Sequence, residues 1–284
     1  MTEAHTVSQL LRDAAIRLSP HSDNAASEAR SLLGWCLKQN ATWLITHETA
    51  QPGAAELTRF EDAIRRRCAG EPLAYITGSE SFWTLELKVN RDTLIPRPDS
   101  EIVVEQALAC FTGQRPAQLL DLGTGTGALA LSLASEWPSA RVIATDIYPP
   151  TLAVAAENAR LNGIQNVVFL ESDWFSALGE QTFDLIVTNP PYIAEGDPHL
   201  EDLGLQYEPR RALTSGADGL NDLRQIIEQA PRFLNEGGWL LCEHGYDQAS
   251  CCQQLFRQSG YLQVRTQTDY AGNDRVTLGQ RPHI

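Results

Sequence analysis

From residue 118 onward, strand-length apolar runs alternate with helix-length segments, and few folds accommodate that alternation. The runs are Gln118 to Asp121, Arg141 to Thr145, Val167 to Leu170, Phe183 to Val187 and Trp239 to Cys242. Strands joined through helices run parallel and bury both faces, so the pattern predicts an α/β protein on a parallel sheet. Two further runs, Leu262 to Thr266 and Arg275 to Leu278, are separated by Gly272 and Asn273. They predict a closing antiparallel pair on the sheet edge.

The 284 residues are about twice a usual domain, which leaves room for a smaller second one upstream. Thr6 and Gln9 stand at capping-box spacing, and Val7, Leu10, Leu11, Ala14 and Leu18 share one helical face. The same period recurs in Ala25, Ala29, Leu32, Leu33 and Cys36, and in Leu57, Phe60 and Ile64 after the break at Pro52-Gly53. Arg65, Arg66 and Arg67 point in different directions around a helix and read as solvated rather than as a docking patch. From Tyr75 to Val89, short β-type runs around Gly78 and Trp83 predict a hairpin, and the linker ends at Ile95-Pro96-Arg97-Pro98. The expected division is a helical domain over residues 1–72, a β-hairpin linker over 73–95 and an α/β domain over 96–284.

Composition narrows the function. With 22 basic and 36 acidic residues the net charge is −14, which disfavours direct nucleic-acid binding by counterion release. No stretch approaches about 18 consecutive apolar residues, so no membrane span is expected. Met1 to Asp13 has neither a basic n-region nor a long apolar run, and the chain reads as cytoplasmic. The six cysteines include no C-x-x-C pair and read as reduced thiols, mostly buried. The six histidines lack metal-ligand spacing, so no metal is expected.

Asp121-Leu122-Gly123-Thr124-Gly125-Thr126-Gly127 directly follows the first strand and opens a helix from Ala128 to about Glu136. An open α/β sheet has its ligand crevice there, and alternate glycines let the backbone approach a ligand. Gly123, Gly125 and Ala128 also satisfy the relaxed dinucleotide pattern, so the loop alone does not choose a cofactor. Asp146 ends the next strand, where a carboxylate can accept both ribose hydroxyls. Asp173 and Trp174 follow the third strand; the pair can receive a base, or serve as an N-cap and a core aromatic.

Asn189-Pro190-Pro191-Tyr192 follows the strand that ends at Val187. Two prolines stiffen the turn, which can aim the Asn189 side-chain oxygen and the Pro190 carbonyl at one point, while Tyr192 adds a flat face. Both acceptors can receive hydrogen bonds from a flat amino or amide group, and the four-residue turn resembles the signature of methyltransferases that act on such planar nitrogens. With the glycine loop, the turn resembles the PrmC/HemK protein-(glutamine-N5) methyltransferases, which modify class I peptide-chain release factors. Ile95 to Glu101, Ser172 to Phe175, Tyr207 to Arg210, Gly216 to Leu220 and Gly272 to Val276 also look like family motifs. Asp99 and Ser100 stand where the family pattern has Glu and Thr.

The resemblance implies a Rossmann-like seven-stranded core of the class I S-adenosylmethionine-dependent kind, behind a helical domain that docks the release factor. It implies that Gly123, Thr124, Gly125, Thr126, Gly127, Asp146, Trp174 and Asn189 contact S-adenosylmethionine. Asn189, Pro190, Pro191 and Tyr192 then hold the glutamine of a Gly-Gly-Gln loop, with Asn189, Pro190 and Tyr192 carrying the catalysis. A monomer is expected, with S-adenosylhomocysteine as product. The alternative is an N6-adenine or N4-cytosine nucleic-acid methyltransferase, whose acceptor is also a planar amine. A nicotinamide-dependent oxidoreductase shares the glycine pattern but leaves the proline turn without a task.

Overall fold

The computed structural model describes residues 5–283, so residues 1–4 and 284 of the two expected domains lie outside the described residues. Two compact units emerge: residues 1–78 with 201–207, and residues 79–200 with 208–284.

The first unit is helical. It contains α1 (Val7–Leu18), α2 (Ala25–Leu37), α3 (Ala41–Thr46), α4 (Ala54–Cys68) and α5 (Leu73–Thr77). The capping box forms as expected: the Thr6 amide donates to Gln9 Oε1 at 2.8 Å, and the Gln9 amide donates to Thr6 Oγ1 at 3.3 Å. Val7, Leu18, Leu32, Leu33, Phe60 and Ile64 meet in one core, as their helical spacing requires.

Two expectations fail here. Arg66 and Arg67 are not solvated: Arg66 forks onto the nearly buried Glu71 at 2.7 and 2.8 Å, and Arg67 onto Glu28 at 2.8 and 3.0 Å. Acidic partners distant from or beyond α4 fold back over it, which periodicity within one helix does not reveal. Only Arg65 stays exposed, beside Asp62. The β-texture assigned from Tyr75 is also wrong at its start, because Leu73–Thr77 closes a helical turn ended by Gly78 at φ +82°.

The second unit opens on a hairpin, β1 (Ser79–Phe82) and β2 (Leu85–Lys88). There follow α6 (Glu101–Cys110), β3 (Gln118–Leu122), α7 (Ala128–Glu136), β4 (Arg141–Asp146), α8 (Pro149–Leu161), β5 (Val167–Glu171) and β6 (Phe183–Thr188). The chain finishes with α9 (Asn221–Gln229), β7 (Leu234–Glu243), α10 (Ala249–Gln258), β8 (Leu262–Thr268) and β9 (Asp274–Gln280). The seven-stranded sheet has the order β5-β4-β3-β6-β7-β9-β8. The first five are parallel neighbours, and β9 and β8 add the antiparallel edge that the tail predicts.

Successive strand residues face opposite sides. Leu119, Val142, Leu185 and Leu241 therefore pack into one core, while Leu120, Ile143, Ile186 and Leu240 pack into the other. β7 begins five residues before the expected Trp239, because the amide of Gly237 and the carbonyl of Gly238 both pair with Arg281 despite breaking the apolar run. All six cysteines are free, but only Cys36, Cys242 and Cys252 are buried, fewer than expected. Among the described residues no helix is long and apolar enough to cross a membrane, and no group of three or more His, Cys, Asp or Glu side chains could hold a metal ion.

Candidate active site

Parallel strands bring their C-terminal ends to one edge of the sheet, where an open α/β fold forms its crevice. Asp121 on β3 is 1% exposed, and its Oδ2 accepts from the Thr124 hydroxyl at 2.6 Å and the Ala130 amide at 3.1 Å. Its Oδ1 is buried with no hydrogen-bond partner. Burial pushes the Asp121 carboxyl up to about 7, against the opposing pull of the Thr124 hydroxyl and the Ala130 amide.

The loop after β3 turns through left-handed backbone at Gly123, Gly125 and Gly127, with φ of +69°, +57° and +86°. Gly125 donates its amide to Asp146 Oδ2 at 3.2 Å, and Tyr148 donates to Asp146 Oδ1 at 3.1 Å. Burial raises Asp146 above the usual carboxylate range, and these amides partly offset it. Trp174, itself left-handed at φ +46°, lays its ring over Gly123, where an added Cβ would lie 3.3 Å from the indole. The ring also packs against the core while lining the cavity, as the core-aromatic reading expects.

The second half of the site is the turn after β6. Asn189 donates its side-chain NH₂ to Ser100 Oγ at 3.0 Å. Among the described residues, neither Asn189 Oδ1 nor the Pro190 carbonyl accepts a hydrogen bond. Behind the turn, Leu213 accepts from the amides of Tyr192 and Ile193 at 3.2 and 2.8 Å, and Gln248 Nε2 donates to the Tyr192 carbonyl at 2.9 Å. The Tyr192 hydroxyl donates to Glu243 Oε1 at 3.3 Å. Burial, then the Glu243 charge, raises the Tyr192 phenol, which stays protonated at neutral pH.

One cavity of about 260 Å³ joins the two halves. Gly123, Thr124, Gly125, Thr126, Asp146, Trp174, Asn189 and Pro191 line it, and Asp173 lies on its wall. Gly127, Pro190 and Tyr192 are not among the lining residues: Gly127 turns the chain into α7 with Leu131 behind it, and Tyr192 is tied down through its hydroxyl. Several contributors to the site lie outside the two motifs or carry no motif role in the sequence. Asp121 was legible as the lone acid in an apolar strand. Buried Asn158 was not; it clasps the Lys88 backbone of β2 and donates to the Thr126 carbonyl at 2.9 Å, tying the hairpin to the glycine loop. Arg211, which lies 4.1 Å over the Tyr148 ring at the cavity wall, stands far from both motifs in sequence.

Comparison with known proteins gives the family. Residues 9–78 match the family model described as PrmC N-terminal domain, and residues 115–272 match one described as Methyltransferase domain. The release factor glutamine methyltransferase of Vibrio cholerae is 48% identical over 263 residues, covering 91% of each chain. The chain belongs to the release factor glutamine methyltransferase family. Its Escherichia coli relative of the same name is 44% identical over 270 residues, covering 95% of this chain and 97% of that one.

Solved structures extend the likeness in fold alone. A Pyrococcus furiosus methyltransferase aligns with a TM-score of 0.53 at 18% identity, covering 81% of this chain and 100% of that one. A Thermus thermophilus 16S rRNA methyltransferase solved with AdoMet and guanosine aligns with a TM-score of 0.50 at 22% identity, covering 72% of this chain and 49% of the other. The Rossmann-like methyltransferase fold expected from the sequence is thus the fold observed, and the chain is a methyltransferase.

Proposed function

We propose that this enzyme transfers the methyl group of S-adenosylmethionine to the side-chain amide nitrogen, N5, of the glutamine in the Gly-Gly-Gln loop of class I release factors. The observation that carries the reading is the Asn189 amide: its nitrogen is bound to Ser100, which leaves Oδ1 as an unoccupied acceptor on a residue of the cavity that Asp121, Asp146 and Trp174 also line, with the Pro190 carbonyl, likewise unoccupied, next to it in the chain. The names of the relatives point to the same substrate, and the net charge of −14 speaks against a nucleic-acid acceptor.

The cavity suits a nucleoside with a cationic tail. Trp174 offers a flat face, Asp146 a carboxylate for ribose hydroxyls, and Asp121 a buried oxygen without a partner. Gly123, Thr124, Gly125, Thr126, Gly127, Asp146, Trp174 and Asn189 hold the cofactor in this reading. S-adenosylmethionine supplies a methyl carbon made electrophilic by its sulfonium.

The protein's task lies with the nucleophile, because an amide nitrogen shares its lone pair with its carbonyl. Asn189 Oδ1 and the Pro190 carbonyl accept the two N–H bonds of the glutamine, hold the nitrogen and polarise it, while Pro191 and Tyr192 confine the flat group. After transfer the nitrogen is strongly acidic and gives a proton to water, so no histidine base is needed. Positioning and fixed dipoles carry the rate.

Residues 1–72 dock the body of the release factor in this reading, and the enzyme works as a cytoplasmic monomer. The test is to mix enzyme, S-adenosylmethionine and release factor and map the product by mass spectrometry. A single methyl gain on the Gly-Gly-Gln glutamine is expected; no gain, or transfer to duplex DNA instead, sinks the assignment. For docking, substitutions on the helical unit should raise KM for the intact factor and leave KM for a short Gly-Gly-Gln peptide unchanged. Equal effects on both would leave that unit a stabilising cap.

A further inference from the structure

The cavity runs from a buried floor to an exposed rim. Asp121, Thr124 and Thr126 line it at no more than 6% exposure, while Tyr148, also in its lining, is 40% exposed. Arg211 and Asp92 are exposed lining residues too, and neither belongs to the glycine loop or the proline turn. The Arg211 guanidinium lies 4.1 Å over the Tyr148 ring, and its Nη2 donates to the Asp92 carbonyl at 3.0 Å. The same carbonyl accepts from the hydroxyl of buried Thr151, in the first turn of α8, at 2.8 Å. Three segments remote in sequence thus meet in one bridge at the rim: the stretch after β2, the start of α8 and the residues around Arg211.

The arm that carries Arg211 is tied on both sides. Before it, buried Glu208 accepts from the Ile95 amide at 3.0 Å and from the Arg97 guanidinium. After it, the Leu213 carbonyl accepts from the Tyr192 and Ile193 amides. Between these ties Arg211 and Ala212 supply cavity lining. An arginine stacked and bonded in this way has already lost rotamer freedom, so contact with a ligand costs it little further entropy.

The bridge also stands beside the carboxylate that ends β4. Asp146 Oδ1 accepts from the Tyr148 amide at 3.1 Å. Burial raises the Asp146 carboxyl, and the Tyr148 and Gly125 amides, followed by the Arg211 charge, draw it back down. A cation and an aromatic ring therefore flank the position where a sugar would bond Asp146.

We propose that Arg211 and Tyr148 form a further part of the cofactor site, a stacked wall at the cavity rim that covers the ribose held by Asp146 and slows its escape. This rests on the proposed S-adenosylmethionine site. The wall is set by the Asp92 carbonyl and the Glu208–Leu213 arm, so it is independent of the glycine loop.

The test measures binding of S-adenosylhomocysteine to the protein by calorimetry and stopped flow. Arg211→Ala should weaken binding roughly three- to tenfold, the loss expected for a stacked cation and its hydrogen bond at an exposed site. Most of that loss should appear as faster dissociation. Tyr148→Ala should weaken binding similarly, whereas Tyr148→Phe, which keeps the ring, should bind as wild type does. Adding Arg211→Ala to Tyr148→Ala should cost less than it does in wild type, because the two side chains are in contact. Arg210→Ala removes the same charge from a residue outside the lining and should leave affinity unchanged. Without ligand the variants should melt with wild type, since both side chains are exposed. Wild-type affinity and dissociation rate in Arg211→Ala overturn the proposal, as does an equal loss in Arg210→Ala or full additivity with Tyr148→Ala. A wild-type protein that binds neither S-adenosylmethionine nor its product sinks the cofactor reading itself, a distinct outcome from a binding wild type matched by Arg211→Ala.

Discussion

The glycine loop and the proline turn end adjacent strands, β3 and β6, yet they are held in different ways. The loop is braced from shorter range: Thr124 bonds Asp121 three residues back, Gly127 bonds Thr124, Gly125 reaches Asp146 21 residues on, and Thr126 accepts from Asn158 32 residues on. The turn is braced from afar, by Ser100 at a separation of 89 residues, Glu243 at 51 and Gln248 at 56. A loop of the first kind can be recognised from seven consecutive residues. A turn of the second kind depends on the whole sheet being assembled, and its chemistry should be more easily lost to substitutions that leave cofactor binding alone.

The largest test of that contrast is Asn189→Ala. Under the proposed mechanism it removes one of two acceptors and should cost roughly 10²- to 10³-fold in turnover, by analogy with the loss of an oxyanion-hole donor. Calorimetry should find cofactor affinity within a few-fold of wild type. Normal single-turnover transfer by this variant would mean that the turn does not hold the acceptor nitrogen.

Next comes Gly219→Ala, a change well outside both motifs. Gly219 has φ +74°, and a Cβ there would stand 2.2 Å from the Tyr192 carbonyl oxygen and 2.9 Å from Gln248 Nε2. The turn must move, and misplacement on the order of 1 Å can cost about 10²-fold in rate. Methylation should therefore fall by up to that factor while cofactor binding holds. A weakened cofactor affinity with normal turnover at saturation would erase the distinction between the two regions.

Gly123→Ala probes the other side. The left-handed φ of +69° costs a residue with a Cβ roughly 1–2 kcal/mol, and that Cβ would press on Trp174 at 3.3 Å. Cofactor affinity should drop about tenfold, with the saturated rate nearly intact. Equilibrium binding of S-adenosylhomocysteine reads this directly, and an unchanged dissociation constant would show that the loop gives without cost.

The same contrast explains what the sequence could disclose. The alternating apolar runs predicted the parallel core and its antiparallel edge, and the helix opened by the glycine loop spans Ala128–Glu136 as read. Legibility failed where partners are remote. Arg66 and Arg67 looked solvated because Glu71 and Glu28 lie outside the helix that periodicity describes. Glu243 ends an apolar run much as Asp121 does, but its bond to Tyr192 exists only once β6 and β7 pair. The segment 201–207 gives no hint in its spacing that it groups with the helical unit, where Tyr207 donates its hydroxyl to the Ala69 carbonyl at 3.2 Å.

The smallest expected effect on methyl transfer itself, though not on stability, concerns the carboxylate that anchors the glycine loop. Burial raises Asp121 from 3.8 to about 7 in the folded protein. Between those values the unfolded chain has released its proton and the folded chain retains it, so wild-type stability declines as pH rises, relative to a residue that cannot ionise. Above about 7 both states are ionised and the difference becomes constant. Thermal unfolding of wild type and Asp121→Asn from acid to neutral pH should therefore diverge steadily, with the wild type losing ground. A shift from 3.8 to about 7 in a fully buried carboxyl corresponds to a divergence of up to about 4 kcal/mol, on the order of ten degrees in melting temperature. Parallel melting curves would mean that the loop holds this carboxyl by hydrogen bonds alone, which would make the two halves of the site more alike than their sequence separations imply.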